Sequence, residues 1–296
     1  MRLLGFLAAV LLGGCAGQAQ SDAQSPAPSM AEILDRSPAG DWRTIDLEDT
    51  LYMDLPGGRV IIELSETFTP AHTRNIRALA RAGWFNGANI VRSQDNYVVQ
   101  WGRDEGDAAP MGAGQATLTP EFVRPRAGLN VTRLADPDSY AREVGFADGW
   151  PMASDGRNAW MTHCYAMVGA GRGDTADSGS GAELYVVIGH APRHLDRNIA
   201  TVGRVLQGIE LLSTMPRGTG PLGFYETPGE RTAIARVRVA ADVPEGERTP
   251  LQALRTDSAT FRALIESRRF RRESWFLEPV GRINVCNVPL PVRTAR

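Results

Sequence analysis

The fold is decided by residues 85–102, whose sequence is FNGANIVRSQDNYVVQWG. Two apolar, strand-like segments flank a turn at 93–96, and Arg92 precedes Gln100 by eight residues. Residues at even spacing share one face of a strand, although the turn interrupts that geometry here. An Arg on an apolar sheet face is costly unless it has a partner or a function. Taken alone, Arg92 is a paired surface residue at a strand end. Its spacing to Gln100 makes the two residues a candidate functional pair.

A helix is predicted immediately upstream, beginning at Pro70. Thr69 is a suitable N-cap, and proline is favoured at the first helical position. Ile76, Leu79 and Ala80 follow the spacing of one apolar helix face. The pattern therefore predicts a helix that covers the sheet with this face.

The rest of the chain contains many strand-like segments and one further internal helix. Strands are predicted at 51–55, 59–64, 88–91, 97–101, 160–168, 184–188, 201–205 and 234–241, and a short helix at 208–215. Many strands with two internal helices favour a mainly β protein, a closed antiparallel barrel of about eight strands with two capping helices. Residues 104–160 are rich in Gly, Ala, Asp and Pro and predict a long, exposed loop insertion that contains one short strand at 130–134.

Four segments, taken in order, resemble the cyclophilins, which are peptidyl-prolyl isomerases. They are Asn75-Ile76…Leu79…Gly83-Trp84-Phe85…Gly87; Ile90-Val91-Arg92…Tyr97-Val98-Val99-Gln100-Trp101-Gly102; Ala166-Met167-Val168-Gly169-Ala170-Gly171 with Leu184-Tyr185-Val186; and His194-Leu195-Asp196…Val202-Gly203-Arg204-Val205…Gly208. The resemblance spans about residues 50–242, with a longer insertion than compact members carry. It implies a cyclophilin-like β-barrel domain, which we place at 41–243.

The resemblance also assigns the site. It implies that Arg92 donates to the prolyl nitrogen, that Gln100 orients Arg92 and the substrate, and that neither metal nor cofactor takes part. The expected substrate-binding residues are Tyr97, Val98, Val168, Gly169, Tyr185, His194, Leu195 and Ile199. Ile199 stands where the family has a pocket His, Gly169 where it has a groove Asn, and Glu183 where it has Gln. We therefore expect weak binding of cyclosporin-type inhibitors and reduced turnover.

The N-terminus has the layout of an export signal. Arg2 precedes an apolar run at 3–12, which is too short for an ordinary membrane-spanning helix, and the run ends in Gly13-Gly14-Cys15. This resembles a bacterial lipobox, so residues 1–15 predict a signal peptide and a lipidated Cys15. The alternative is an ordinary signal peptide cleaved near residue 16 or 19. The Ala-, Gln-, Ser- and Pro-rich start of segment 16–40 predicts a tether before a short N-terminal extension.

Export leaves Cys164 and Cys286 as an even pair in an oxidising compartment. They are either a disulfide or two separate buried thiols, and the sequence leaves both open. Cys286 lies in a C-terminal extension, 244–296, where we predict a helix at 256–269 and a strand at 283–288. The four arginines between positions 268 and 272 are interpreted as a solvated helix end, with binding to acidic lipid or nucleic acid as the alternative.

Together these patterns predict an exported, periplasmic, membrane-anchored monomer that isomerises prolyl bonds in client polypeptides. Its net charge of −2 does not indicate a nucleic-acid-binding surface. The rival functions are a proline-binding chaperone or scaffold without useful turnover, and a structural envelope protein whose tail docks a partner.

Overall fold

Residues 28–104, 106–107 and 109–295 are described by the computed structural model of the chain. The helices are α1 (Met30–Asp35), α2 (Pro70–Arg81), α3 (Ile209–Ser213) and α4 (Ala259–Phe270). The strands are β1 (Trp42–Thr44), β2 (Thr50–Leu55), β3 (Gly58–Leu64), β4 (Asn89–Ser93), β5 (Val98–Gly102), β6 (Arg124–Pro125), β7 (Val131–Arg133), β8 (Glu143–Ala147), β9 (Trp150–Ser154), β10 (Asn158–Met161), β11 (Met167–Ala170), β12 (Leu184–Val187), β13 (Thr201–Gln207), β14 (Thr232–Ala233), β15 (Arg236–Val239), β16 (Leu251–Leu254) and β17 (Val292–Thr294). None of the helices in these ranges is long and apolar enough to cross a bilayer.

The main element is a curled antiparallel sheet with the order β14-β4-β5-β12-β11-β13-β3-β2-β15. It has nine strands where about eight were expected, because residues 232–239 supply two short strands to opposite edges. Ile234 donates its N–H to the Ala88 carbonyl, and Ala235 donates to that of Asp54, so consecutive residues join the two edges. The mainly β architecture predicted from the sequence is therefore present.

Helix α2 covers this sheet as its apolar face predicts. Ile76 and Leu79 are fully buried in the core with the inward-facing residues of the strands. Thr69 occupies the N-cap position without a side-chain hydrogen bond. Instead, the Glu121 carboxylate accepts from the backbone N–H groups of Ala71 and His72, at 3.0 and 2.9 Å. The cap is thus supplied from the insertion, about fifty residues downstream.

The prediction of a loop-like insertion at 104–160 was wrong. Strands β6 to β10 form a second antiparallel sheet in the order β6-β10-β9-β8-β7. Its strands are short, and many of its buried residues are small or flexible, such as Ala147, Met152 and Ala153. The Gly, Pro and Asp residues that suggested a loop occupy the turns between these strands, so composition hid the strands.

The C-terminal extension packs on this second sheet. Phe261 of α4 lies edge-on to Phe146 of β8, with ring centroids 5.0 Å apart, and both belong to one buried cluster. The predicted helix is present, with Ser258 as its N-cap. The predicted strand at 283–288 is wrong, because this segment contains a 3-10 turn at Val285–Asn287, and the last strand is β17. A third sheet, β1-β16-β17, joins residues 42–44 to the extension.

Candidate functional site

Arg92 and Gln100 lie opposite each other on the hairpin formed by β4 and β5. The turn is closed by a hydrogen bond from the Gln94 N–H to the Val98 carbonyl, at 2.9 Å. A register shift between Ile90 and Arg92 adds one residue to β4. The Arg92 Nη1 group donates to Gln100 Oε1 at 3.1 Å. The eight-residue spacing therefore places the pair across a hairpin rather than along one strand.

The Arg92 side chain is half-buried and held on several sides. Its Nε donates to the Leu222 carbonyl at 2.7 Å, and its Nη2 donates to the Gln94 side-chain oxygen. The rings of Tyr97 and Phe224 lie 5.5 and 5.2 Å from the guanidinium carbon. A guanidinium group has five N–H groups. Three of these N–H groups are bonded to described residues, so two N–H groups of Arg92 remain to donate to a ligand.

Glu183, which immediately precedes β12, places a carboxylate near Arg92. Gln100 Nε2 donates to a Glu183 carboxylate oxygen, which fixes the amide so that its oxygen faces Arg92. Burial lowers the pKa of Arg92, whereas the negative charge of Glu183 acts in the opposite direction. An Arg side chain remains charged at neutral pH under such conditions. Arg92 is therefore a positive charge held in place, and its partner Gln100 is held in one orientation by Glu183.

An apolar cluster adjoins the pair on the same face of the sheet. Val98 lies opposite Val187, and Gln100 lies opposite Tyr185, so these side chains form neighbouring positions of β5 and β12. The cluster is Val98, Tyr185 and Val187, with Tyr97 and Ile199 packed against it. His194 is exposed, and its ring lies parallel to that of Tyr97 at 6.1 Å, while Leu195 is partly buried in the 3-10 turn Arg193–Leu195.

Two of the predicted substrate-binding residues, Val168 and Gly169, are neighbours on β11. Val168 is fully buried in the main core, because alternation along β11 directs its side chain to the opposite face from Gly169. Its side chain therefore packs in the core, and its assignment to the substrate groove stays a prediction. Gly169 lies opposite Tyr185, and a Cβ at Gly169 would collide with the hydroxyl end of the Tyr185 ring. That ring thus occupies the space a larger side chain would need there.

A chain of buried polar side chains runs beneath the apolar cluster and was not predicted from the sequence. Its side chains are Tyr185, His163, Asp196, Arg193 and Asp138. Tyr185 Oη lies 2.7 Å from His163 Nε2, and His163 Nδ1 lies 2.9 Å from Asp196 Oδ1. Asp196 also accepts from Arg193 Nε at 2.6 Å, and Arg193 Nη1 donates to Asp138 at 3.0 Å. The chain joins the candidate pocket to the turn 134–142 of the insertion.

Electrostatics determine the direction of these hydrogen bonds. Burial opposes ionisation of Asp196, but the hydrogen bond from His163 and the charge of Arg193 outweigh it and lower the pKa of this carboxyl group. An ionised carboxylate only accepts, so His163 Nδ1 carries the proton. Burial raises the pKa of Tyr185 well above its ordinary value, so its hydroxyl stays protonated. In neutral His163, Nε2 therefore accepts from Tyr185.

No motif or spacing in the sequence indicates that these polar residues lie close together. His163 and Tyr185 are separated by 22 positions, and His163 and Asp196 by 33 positions. No group of three or more His, Cys, Asp or Glu side chains that could hold a metal ion occurs in the part of the chain that is described.

Cys164 follows His163 directly and is joined to Cys286 in a disulfide, with their Cα atoms 5.0 Å apart. The sequence left open whether these cysteines form a disulfide or remain two separate thiols, and the structure contains the disulfide. The predicted lipidation residue, Cys15, lies outside the described residues.

Comparison with known proteins agrees with this architecture. The family model of the cyclophilin type peptidyl-prolyl cis-trans isomerases matches residues 50–239, well over half of the chain. Two relatives are each 30% identical over 119 residues, covering 35% of this chain. They are named probable peptidyl-prolyl cis-trans isomerases, from Brucella suis biovar 1 and Brucella melitensis biotype 1. The chain spans 61% of the length of these curated relatives.

The fold likeness extends further than the family match. The crystal structure of the cyclophilin AquaCyp293 from Hirschia baltica has a TM-score of 0.66 and 22% sequence identity. This likeness covers 86% of this chain and 94% of that protein. The curled sheet, the order of the motifs and the match over residues 50–239 lead to one conclusion: this chain belongs to the cyclophilin-type peptidyl-prolyl cis-trans isomerase family.

Proposed function

We propose that this protein is a monomeric prolyl isomerase of the cell envelope that assists the folding of exported proteins. Arg92 donates to the prolyl nitrogen, and Gln100 orients Arg92. The observation that carries the proposal is the contact of Arg92 with Gln100 beside the apolar cluster of Val98, Tyr185 and Val187. A cation with free N–H groups next to this buried apolar cluster, whose neighbours Tyr97 and Ile199 are partly exposed, suits a proline ring and its nitrogen.

The chemistry needs a donor and little else. Rotation about a peptide bond costs about 18–20 kcal/mol because the nitrogen shares its lone pair with the carbonyl. In the twisted transition state that lone pair is localised on nitrogen and can accept a hydrogen bond. A donor that acts mainly in this state lowers the barrier without stabilising the planar ground state equally. Arg92 supplies such a donor, and Glu183 and Gln100 keep it aligned.

Substrate binding is assigned to the neighbouring surface. The proline ring packs on Val98, Tyr185 and Ile199, beside the rings of Tyr97 and His194. The clients are therefore polypeptide segments that contain proline.

The test is cis-to-trans conversion of a proline tetrapeptide by wild type and by Arg92→Ala. We expect acceleration that falls by about a hundredfold in the variant, the usual loss for a transition-state donor. Gln100→Ala should lose about tenfold, because a hydrogen bond to a charged group is worth about 1.5–3 kcal/mol.

Arg36→Ala is the matched control, since this Arg is 74% exposed and lies on α1's C-terminal side. A folded wild type without acceleration would contradict the proposal, and so would an Arg92→Ala variant that keeps full activity.

A second candidate function is proline binding without useful turnover. The segment 216–226 supports it, because Leu222 and Phe224 of this segment contact Arg92, and Leu222 already accepts its Nε–H. A substrate must compete with these contacts. Peptide binding by a folded wild type that does not accelerate isomerisation would favour this candidate.

Anchoring in the envelope is proposed from the lipobox at Gly13-Gly14-Cys15. Several acyl chains on one Cys hold a protein stably on a membrane. Labelled fatty acid should enter the wild-type protein in a bacterial host and be absent from Cys15→Ser. Equal labelling of both proteins, or no labelling of wild type, would contradict lipidation of Cys15. The alternative, an ordinary cleaved signal peptide, would then be favoured.

A further inference from the structure

The most exposed large apolar side chains of the described residues lie together in the segment that follows α4. Trp275, Leu277 and Val280 are 80, 93 and 81% exposed, whereas the others range from 37 to 67%. Because these three side chains lie within six positions, we call residues 275–280 the apolar patch. Large apolar side chains left exposed within one short segment are typical of an interaction site in a soluble domain.

Positive charge surrounds the apolar patch. Residues 268–282 contain five arginines and two glutamates, in a chain of net charge −2. Arg268 pairs with Glu273, and Arg269 pairs with Asp136. Among the described residues, Arg271, Arg272 and Arg282 have no carboxylate within ion-pair distance. The Arg271 and Arg272 side chains instead lie over the rings of Phe276 and Phe270, at 5.0 and 5.3 Å. The surface is therefore both apolar and cationic.

The described chain begins beside this surface. Ser267 Oγ donates to the Pro28 carbonyl at 3.4 Å, and Pro28 lines one cleft together with Phe270 and Arg272. Cys15 lies thirteen positions before Pro28 in the sequence. Even fully extended, that length of chain spans at most about 45 Å. A lipid on Cys15 would thus keep the apolar patch within reach of the membrane.

We propose that the apolar patch, with Arg271 and Arg272, binds the surface of a lipid bilayer that contains anionic headgroups. Trp275 and Leu277 enter the interface, where tryptophan is favoured, and the arginines contact the lipid phosphates. This goes beyond the proposed isomerase, and it relies on the proposed lipid at Cys15 only for proximity. The contact would hold the domain in one orientation on the membrane.

The test is co-sedimentation with phosphatidylcholine vesicles with or without 30% phosphatidylglycerol. The protein begins at residue 16, which removes the apolar run 3–12 that would insert by itself. This chain keeps every described helix and strand. We expect binding to the anionic vesicles that falls at least fivefold in Trp275→Ser/Leu277→Ser. Arg271→Glu/Arg272→Glu should abolish the preference for phosphatidylglycerol.

Tyr165→Ser is the control, because Tyr165 is an aromatic residue 47% exposed outside the patch. Its binding should equal that of wild type, and equal thermal midpoints should show that all variants are folded. Trp275 emission should also shift to shorter wavelength on anionic vesicles. The proposal is overturned by unbound wild type, by full binding of the patch variant, or by a patch that captures an unfolded polypeptide instead of vesicles. None of these readouts depends on isomerase activity.

Discussion

Arg92 shows how a single residue depends on its neighbours across a hairpin. Its partner Gln100 is close along the chain, and the contact was expected from the resemblance of this hairpin segment to the cyclophilins. Glu183, which immediately precedes the adjacent strand β12, bonds to Gln100 from 83 positions away. The sequence shows that Glu183 stands where the cyclophilins usually have Gln, but only the structure shows its hydrogen bond to Gln100.

Tyr185 was predicted as a substrate-binding residue, but the hydrogen-bond partner of its hydroxyl, His163, was not predicted. Replacing Tyr185 by Phe leaves the ring and removes the 2.7 Å partner of buried His163 Nε2, which keeps only the longer contact with Thr201 Oγ1 at 3.4 Å. A buried group left without a good partner costs about 1–3 kcal/mol, so Tyr185→Phe should lower the free energy of unfolding by that amount. Urea unfolding measures it. Tyr97→Phe, whose hydroxyl has no hydrogen bond to the described residues, should change stability by less than about 0.5 kcal/mol. Equal stability of the two variants would contradict the assigned hydrogen bond.

At the scale of elements, the disulfide connects the C-terminal extension to the segment between β10 and β11 that carries His163. Helix α4 and the disulfide both hold the extension against the second sheet. The sequence predicted α4 correctly because its apolar spacing and Ser258 cap are local signals. The strands of the insertion are two to five residues long, so their alternation was too brief to recognise.

Removing the disulfide should destabilise the folded protein. Cys164 and Cys286 are 122 positions apart, and a cross-link over so long a loop restricts the unfolded chain strongly. Cys164→Ala/Cys286→Ala should therefore lose about 2–5 kcal/mol in urea unfolding. Reductant should lower the unfolding midpoint of wild type towards that of the variant and leave the variant unchanged. A wild type whose midpoint equals that of the variant before reduction would refute the prediction.

The whole molecule contains buried carboxylates that are ion-paired across its sheets. Glu63 Oε1 lies 2.6 Å from Arg43 Nη1, and its Oε2 lies 3.4 Å from Arg204 Nε. Burial alone would raise the pKa of Glu63, but the two guanidinium groups outweigh it and lower the pKa below its ordinary 4.5. The pKa of Asp196 is likewise lowered below its ordinary 3.8, by the hydrogen bond from His163 and the charge of Arg193. Below about pH 4.5 the unfolded chain therefore binds more protons than the folded protein.

The stability that Glu63 and Asp196 contribute should accordingly be constant above about pH 5 and fall as the pH drops through 4.5 and below. Burial raises the pKa of Asp49 to about 6, so this group should instead add stability as the pH falls through about 6. Urea midpoints between pH 7 and pH 3 measure this. Glu63→Gln should be less stable by about 3–5 kcal/mol at pH 7, since it leaves buried guanidinium charge, and should lose less on acidification. Glu48→Gln, whose side chain is half exposed, is the control and should follow wild type. A wild-type midpoint that does not change down to pH 3 would disprove this account.

Local patterns in the sequence determined the hairpin of Arg92 and Gln100, helix α2 and membership of the family, because turn residues and apolar spacing act between near neighbours. Tertiary structure alone decided that Val168 faces the core, that His163 lies behind Tyr185, and that the insertion forms a sheet beneath the C-terminal helix. It also decided that Trp275 lies exposed and that Arg272 shares a cleft with Pro28. These contacts join residues far apart in the chain, and packing selects them only when the whole core forms.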